Sequence, residues 1–387
     1  MSSRPTLGVG IVGFGFIGKV HAHAYRSLSL FYDPAPAKVK LVGVCTSREE
    51  TAAKAKEQGE FEFATTSFED LLARDDIHII NVCTPNHLHK EQVIAALEAG
   101  KHVYCDKPLT TSLADAREIL AVARKHPELT HGMAHQCRFI PATMRARELA
   151  AEGFLGEVYH FRTTYYHAGY ADPLRPISWR MTTEAGGGAL SDLGSHVIDL
   201  MRYILGDYDS VRGTKVTFIP ERPSAADRSQ MLPVEVDDYV CLQARMKQGG
   251  IGFIEASRFA TGSQDGVSFE IYGQHGAMKF SMMDANWLYV YDARDKGGAL
   301  GGNRGFKQIE CVQQYPTPSA LPSPKLPVGW PRFHIHSMFD FVSAVAEGRL
   351  GTVTLFDAAA TQAVDDAVHR SHESGQWEKV AETMSDE

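Results

Sequence analysis

The sequence predicts two domains of different class. Residues 1–135 form an α/β domain around a parallel sheet, and residues 136–387 an α+β domain with a large, mostly antiparallel open sheet. Three observations predict this. The 387 residues exceed one ordinary domain. The first third alternates continuous apolar runs with helix-period segments, the pattern of a sheet covered on both faces. Beyond Gly156 the runs lean toward apolar–polar alternation, and Gly249-Gly250 separates two of them as a hairpin turn would.

Taken in order, residues 7–12, 39–45, 77–83, 102–105 and 130–134 are strand candidates, and 88–100 and 113–125 are helices between them. Residues 141–153 predict a helix. Strands are expected at 211–218, 237–247, 251–259, 267–272, 277–281 and 287–291. The Gly- and Pro-rich 297–331 reads as an extended arm, 334–347 and 356–374 as closing helices, and the rest as a polar tail.

Hydrophobic residues make up 44% and charged residues 22%, enough to bury a large core in a globular chain. A net charge of -8 argues against nucleic acid or an anionic membrane as partner. No apolar run is long enough to span a bilayer. The first strand begins too early to leave room for a signal peptide, so a cytoplasmic protein is expected. Six cysteines without a C-x-x-C pair read as reduced packing residues. Among 17 histidines, His21/His23, His87/His89 and His334/His336 are two apart, which on a helix turns the rings away from each other. No carboxylate or cysteine set completes a site, so no metal is expected.

The motifs sit where an open parallel sheet binds ligands, at the carboxyl ends of its strands. Gly13-Phe14-Gly15-Phe16-Ile17-Gly18 follows an apolar strand and opens a helical segment, the context that makes G-x-G-x-x-G a Rossmann dinucleotide turn. Its backbone N–H groups and the helix N-terminus suit a pyrophosphate. An acid usually holds the ribose 2′-hydroxyl at the end of the second strand, but here Cys45-Thr46-Ser47-Arg48 stands there. With no carboxylate to repel a 2′-phosphate, Ser47 and Arg48 favour NADP over NAD. Glu49 and Glu50 alternatively belong to the first turn of the next helix. Cys83-Thr84-Pro85-Asn86 and Asp106-Lys107-Pro108 end two further strands. Far downstream, Gly186-Gly187-Gly188 precedes Asp192, His196 and Asp199, which share one face if the segment is helical. His196 suits general acid–base work because imidazole titrates near neutrality. A dinucleotide turn, a strand-end lysine and a histidine are the equipment of hydride transfer. Alternatively, Ser195 caps a helix and His196 is a satisfied core residue.

These motifs resemble the Gfo/Idh/MocA oxidoreductases, and the resemblance runs from Val9 to about Lys379. Asp106-Lys107-Pro108 is similar to the family's Glu-Lys-Pro, one methylene shorter at the acid. Asp192, Gly194, His196 and Asp199 match its Asp-x-Gly-x-His-x-x-Asp, and Thr84-Pro85-Asn86-His87-Leu88-His89 its nicotinamide-side loop, with His89 among the cofactor residues. Arg138-Phe139-x-Pro141 resembles the segment joining its domains, and Ser371-His372-Glu373-Ser374-Gly375 its usual ending. The resemblance implies Lys107 and His196 as the catalytic pair, with Asp192 holding a substrate hydroxyl. It also implies a sugar or cyclic polyol as substrate, and a homo-oligomer, dimer or tetramer, built through the second domain's sheet.

Trp179 and Arg180 suit that substrate class, because an indole stacks on a pyranose and a guanidinium donates to hydroxyls. Tyr165, Tyr166, His167 and Arg138 are expected near the same site; Trp179 in the core and Arg180 on the surface is the bland alternative. The Trp-Arg pair and the insertion at 31–37 point to the inositol and levoglucosan dehydrogenase-like branch. Two rival readings keep the fold: a redox glycosidase that regenerates its nicotinamide in each turnover, and a nucleotide sensor without catalysis.

Overall fold

The structure is a computed structural model that describes residues 4–383. The chain divides into one unit of Met1–Phe139 with Tyr315–Ala359 and another of Ile140–Gln314 with Ala360–Glu387.

The first unit opens with strand β1 (Thr6–Val12), helix α1 (Phe16–Phe31), β2 (Lys38–Cys45), α2 (Glu49–Gly59), β3 (Phe63–Thr65) and the short α3 (Glu69–Leu72). There follow β4 (Ile79–Val82), α4 (His89–Glu98), β5 (His102–Cys105), α5 (Leu113–Ala123) and β6 (His131–Met133). The six strands form one parallel sheet in the order β3-β2-β1-β4-β5-β6. Val9, Ile11, Ile79, Ile80, Val82 and Val103 are sealed from water, as apolar runs between two helical layers must be. Reversal of strand order about β1 and β4 opens a crevice at their carboxyl ends.

The second unit begins with α6 (Pro141–Ala151) and β7 (Val158–Tyr166), continues through α7 (Ser195–Leu205) and β8 (Tyr208–Val216), and adds the ribbon β9 (Glu221–Pro223) and β10 (Met231–Pro233). Then come β11 (Tyr239–Met246), β12 (Ile251–Ser257), β13 (Gly266–Gly273), β14 (Gly276–Ser281), β15 (Trp287–Asp292) and β16 (Lys307–Glu310). Among the described residues, the last elements are α8 (Trp330–Glu347), α9 (Leu355–Ser374) and β17 (Glu378–Lys379). Nine strands make a mixed sheet, β16-β15-β14-β13-β7-β12-β11-β8-β17, antiparallel except where β7 meets β12. Helix α7 packs on β7 and α6. Strand alternation therefore gives β7 a covered face with Phe161, Thr163 and Tyr165 and an open one with Arg162 and Tyr166.

The expected split at 135/136 assigns α8 to the second domain, whereas its packing places it in the first unit. Ile335, Met338, Phe341, Val342 and Val345 of α8 share a core with Ala24, Tyr25 and Leu28 of α1. The apolar stripe of a helix shows that it must be covered but not which layer covers it. Within the expected arm, residues 307–310 pair with β15. No helix among the described residues is long and apolar enough to cross a membrane.

Candidate active site

Gly13 sits at φ +85, and a Cβ there would lie 2.5 Å from the Cys83 carbonyl oxygen, so only glycine fits the turn after β1. A Cβ on Gly15, by contrast, meets nothing within 4 Å. Helix α1 has no side-chain cap and no acid in its first turn. Its orphan N–H groups and positive end thus stand beside open space at Gly15, which fits a dinucleotide pyrophosphate. Phe14 packs edge-on to Phe61 and Ile17 joins the core, leaving their backbones for a ligand. Phe16 is 73% exposed and stacks on Trp330.

At the end of β2, Ser47 and Arg48 are exposed. Thr46 Oγ1 donates to the Arg48 carbonyl (3.1 Å), and Glu49 and Glu50 occupy the first turn of α2. This is the dipole-complementing placement that the sequence offered as an alternative.

The loop after β4 runs through buried Cys83, half-buried Thr84 and Pro85, and buried Asn86; Thr84 Oγ1 donates to Gln92 Oε1 (2.6 Å). His89, expected among the cofactor contacts, is fully buried instead, with Nδ1 2.9 Å from the Pro108 carbonyl oxygen and Nε2 2.9 Å from that of Thr84. Both ring nitrogens face backbone, so His89 ties the Thr84 loop to the Lys107 loop. Burial lowers its pKa, and the charge of nearby Asp106 opposes that shift. Asp106 and Lys107 are half-buried at the end of β5, where the Asp106 N–H donates to the Val82 carbonyl (2.9 Å).

Arg138, expected at the substrate, is only 3% exposed and donates to the Thr352 carbonyl (3.2 Å) and Asp357 Oδ1 (3.1 Å). A guanidinium this buried needs such partners, and they hold it inside the first unit.

In the second unit the glycine run is shaped by its neighbours. A Cβ on Gly187 would lie 2.3 Å from the Arg180 carbonyl oxygen, and one on Gly188, at φ +111, 2.5 Å from Asp237 Oδ1. The chain then makes a π-helical turn, Leu190–Gly194, which runs into α7 without a side-chain cap, so Ser195 does not cap that helix. Asp237 Oδ2 accepts the Leu190 N–H (2.9 Å), and burial raises the Asp237 carboxyl pKa. Asp192 projects from the turn to Arg258, Nη2 to Oδ2 at 2.9 Å. Arg258 is fully buried, also donates to the Arg180 carbonyl (3.1 Å) and lies 4.5 Å from the Tyr170 ring centre. His196 is 4% exposed, its ring 5.5 Å from that of Tyr165. His167 lies near enough that the Asp192 charge opposes the downward shift that burial imposes on it.

Tyr166, expected to face the substrate with His196, points the other way. Its hydroxyl is on Glu255 and its neighbour Arg162 on the open face, because successive strand residues alternate sides. Tyr165 holds the position on the His196 side. Trp179 is half-buried, and the exposed Arg180 folds its guanidinium over the indole at 4.2 Å, covering one ring face.

Sequence reasoning missed Arg258 and Asp237. Each lies beside a sheet strand with no motif around it, and only their burial beside the turn singles them out. The nearest sequence signal is an arginine directly after the apolar run of β12.

Comparison with known proteins identifies the family. Residues 7–132 match the model of the oxidoreductase family, NAD-binding Rossmann fold, and residues 143–279 that of the GFO/IDH/MocA C-terminal domain. The chain is 35% identical to levoglucosan dehydrogenase of Pseudarthrobacter phenanthrenivorans, over 97% of its own length and 98% of the relative's. It is 33% identical to D-glucoside 3-dehydrogenase of Escherichia coli, over 66% of its length and 71% of that protein's. Among solved structures, levoglucosan dehydrogenase in complex with NADH and levoglucosan superimposes with a TM-score of 0.92 at 35% identity, covering 97% of this chain and 99% of the other. The dinucleotide turn, the Asp-Lys-Pro strand end and the Asp192–His196 turn thus occur on a chain that belongs to the Gfo/Idh/MocA oxidoreductases.

Proposed function

We propose that the protein oxidises a secondary hydroxyl of a pyranose, a levoglucosan-like or glucoside-like sugar, with NAD as hydride acceptor. It is an oxidoreductase of sugars or cyclic polyols acting on CH–OH groups. The observation that carries the finer reading is the π-helical turn, which fixes Asp192 on Arg258 and leads directly to His196. When bound, the nicotinamide supplies the acceptor for the hydride of the carbinol carbon. His196 takes the hydroxyl proton as that carbon becomes a carbonyl, and Lys107 holds the developing oxygen. Asp192, oriented by Arg258, accepts from a neighbouring hydroxyl, and Arg180 on Trp179 offers further donors to the sugar.

NAD replaces the NADP that Ser47 and Arg48 suggested. The matched family model is an NAD-binding one, and the levoglucosan dehydrogenase compared above is bound to NADH. The exposed Ser47 hydroxyl then serves the ribose 2′-hydroxyl. The redox glycosidase reading is not favoured, since the relatives above are named as dehydrogenases. We assign the enzyme to the cytoplasm, where soluble nicotinamide is recycled. A second copy covers the open sheet face, where Ile251 and Phe253 are exposed.

The test is reduced-nicotinamide absorbance with NAD and NADP separately, over levoglucosan, glucosides and inositols. Sugar-dependent reduction of NAD is the expected result. Hydrolysis of aryl glycosides without reduction would restore the glycosidase, and tight NAD binding with neither activity would restore the sensor.

A further inference from the structure

Ser191 precedes Asp192 in the π-helical turn and starts a separate line of polar contacts. Its Oγ donates to Asp365 Oδ2 (2.9 Å), Asp365 Oδ1 lies 3.2 Å from His369 Nε2, and His369 Nδ1 lies 2.6 Å from Lys215 Nζ. Chemistry gives each link a direction. An ammonium only donates, so Nδ1 accepts from Lys215; the neutral ring then carries its proton on Nε2 and donates it to Asp365. The Asp365 side chain is 10% exposed and that of His369 45%, so the line runs from the surface to the turn.

The turn depends on such outside contacts. A π-helical turn is a rare conformation. Here two carboxylates hold consecutive residues of it, Asp237 on the Leu190 N–H and Asp365 on the Ser191 hydroxyl. The groups facing His369 are Asp365 on its own helix, Lys215 on β8 and Asp237 ahead of β11. His372, one turn further along α9, accepts the Lys215 N–H on Nδ1 (3.4 Å). The bond to Asp365 raises the pKa of His369, while burial and Lys215 oppose the rise.

We propose that His369, acting through Asp365 and Ser191, is a positioning residue for the turn that carries Asp192, and that its protonation state sets sugar turnover. The proposal rests on the sugar-dehydrogenase reading above. A proton on Nδ1 sets two donors face to face and expels Lys215. The charged ring then forms the stronger bond to Asp365 and draws that carboxylate away from Ser191.

The experiment compares the wild type with His369→Gln and Ser191→Ala, each checked for native circular dichroism. Gln keeps a donor for Asp365 but does not titrate. In the wild type, kcat/KM for the sugar falls on the acid side in two steps, one at the midpoint of His369 and one from protonation of the base His196, and His369→Gln keeps only the second. Ser191→Ala lowers kcat about fivefold to tenfold, with KM for NAD within about twofold, the size of effect expected for one positioning hydrogen bond. A wild-type pH profile in folded His369→Gln, or a wild-type kcat in Ser191→Ala, overturns the proposal. A second readout needs no turnover: the His369 ring and the Asp192 amide followed by NMR from about pH 5 to about 9, the range in which imidazole titrates. The Asp192 amide moves with the midpoint of His369 in the wild type and not in Ser191→Ala. A flat Asp192 amide overturns the line of contacts. Coupled titration without sugar turnover upholds the line and overturns only the assigned reaction.

Discussion

Arg258 has no exposed surface, and its guanidinium divides between the Asp192 carboxylate and a backbone carbonyl. Removing one partner of a buried pair strands the other charge, at a cost of roughly 3–5 kcal/mol. The Asp192 side chain is 26% exposed, so Arg258→Met is expected near the lower end, about 3 kcal/mol, in denaturant unfolding. Sugar turnover falls with it, because Asp192 loses its orientation. A destabilisation below about 1 kcal/mol would mean that the pair is solvent-screened like a surface bridge. His196→Ala should lower kcat by about 10²–10⁴, the range of general acid–base catalysis, and leave NAD affinity unchanged by titration calorimetry. The sequence offered His196 and Asp192 through their spacing, whereas Arg258, 66 residues from Asp192, reaches it only because β12 ends beside the turn.

At the scale of elements, two glycines serve opposite purposes. Gly15, the N-cap of α1 at φ -73, lies in an ordinary backbone region with open space where a Cβ would go. Gly15→Ala should therefore cost no more than about 1 kcal/mol in stability, the gap between Gly and Ala at an N-cap, yet weaken NAD binding at least tenfold as the methyl takes the pyrophosphate's place. Equal NAD affinity in the variant would refute the assignment of the turn. Gly188, at φ +111 against Asp237, is structural: Gly188→Ala should destabilise by about 2 kcal/mol, read as a lowered Tm. The sequence marked both as members of glycine motifs, but their separate purposes depend on what stands opposite each one.

For the whole molecule, buried histidines predict acid sensitivity. Desolvation lowers His21 and His131 to about 4 and His336 to about 3. Each stays neutral in the folded core while its unfolded counterpart takes up protons below about pH 6.5. The unfolded state thus binds more protons, and the stability present above that pH declines progressively as the pH falls toward about 4. Calorimetric Tm should drop across this window, and a His21→Gln, His131→Gln double variant should flatten the drop. An unchanged slope would show that these rings do not carry the effect. Local pattern determined the two domain classes, five of the six parallel strands, the dinucleotide turn and the candidacy of His196 and Lys107, because apolar period and glycine spacing are written along the chain; the three-residue β3 is too short to show a period. Tertiary structure decided what spacing does not encode: that α8 belongs with α1, that Tyr165 rather than Tyr166 shares the face of His196, that Arg138 and His89 hold backbone, and that Arg258 holds Asp192. An apolar stripe or a buried charge requires a partner, but only the folded packing selects which one.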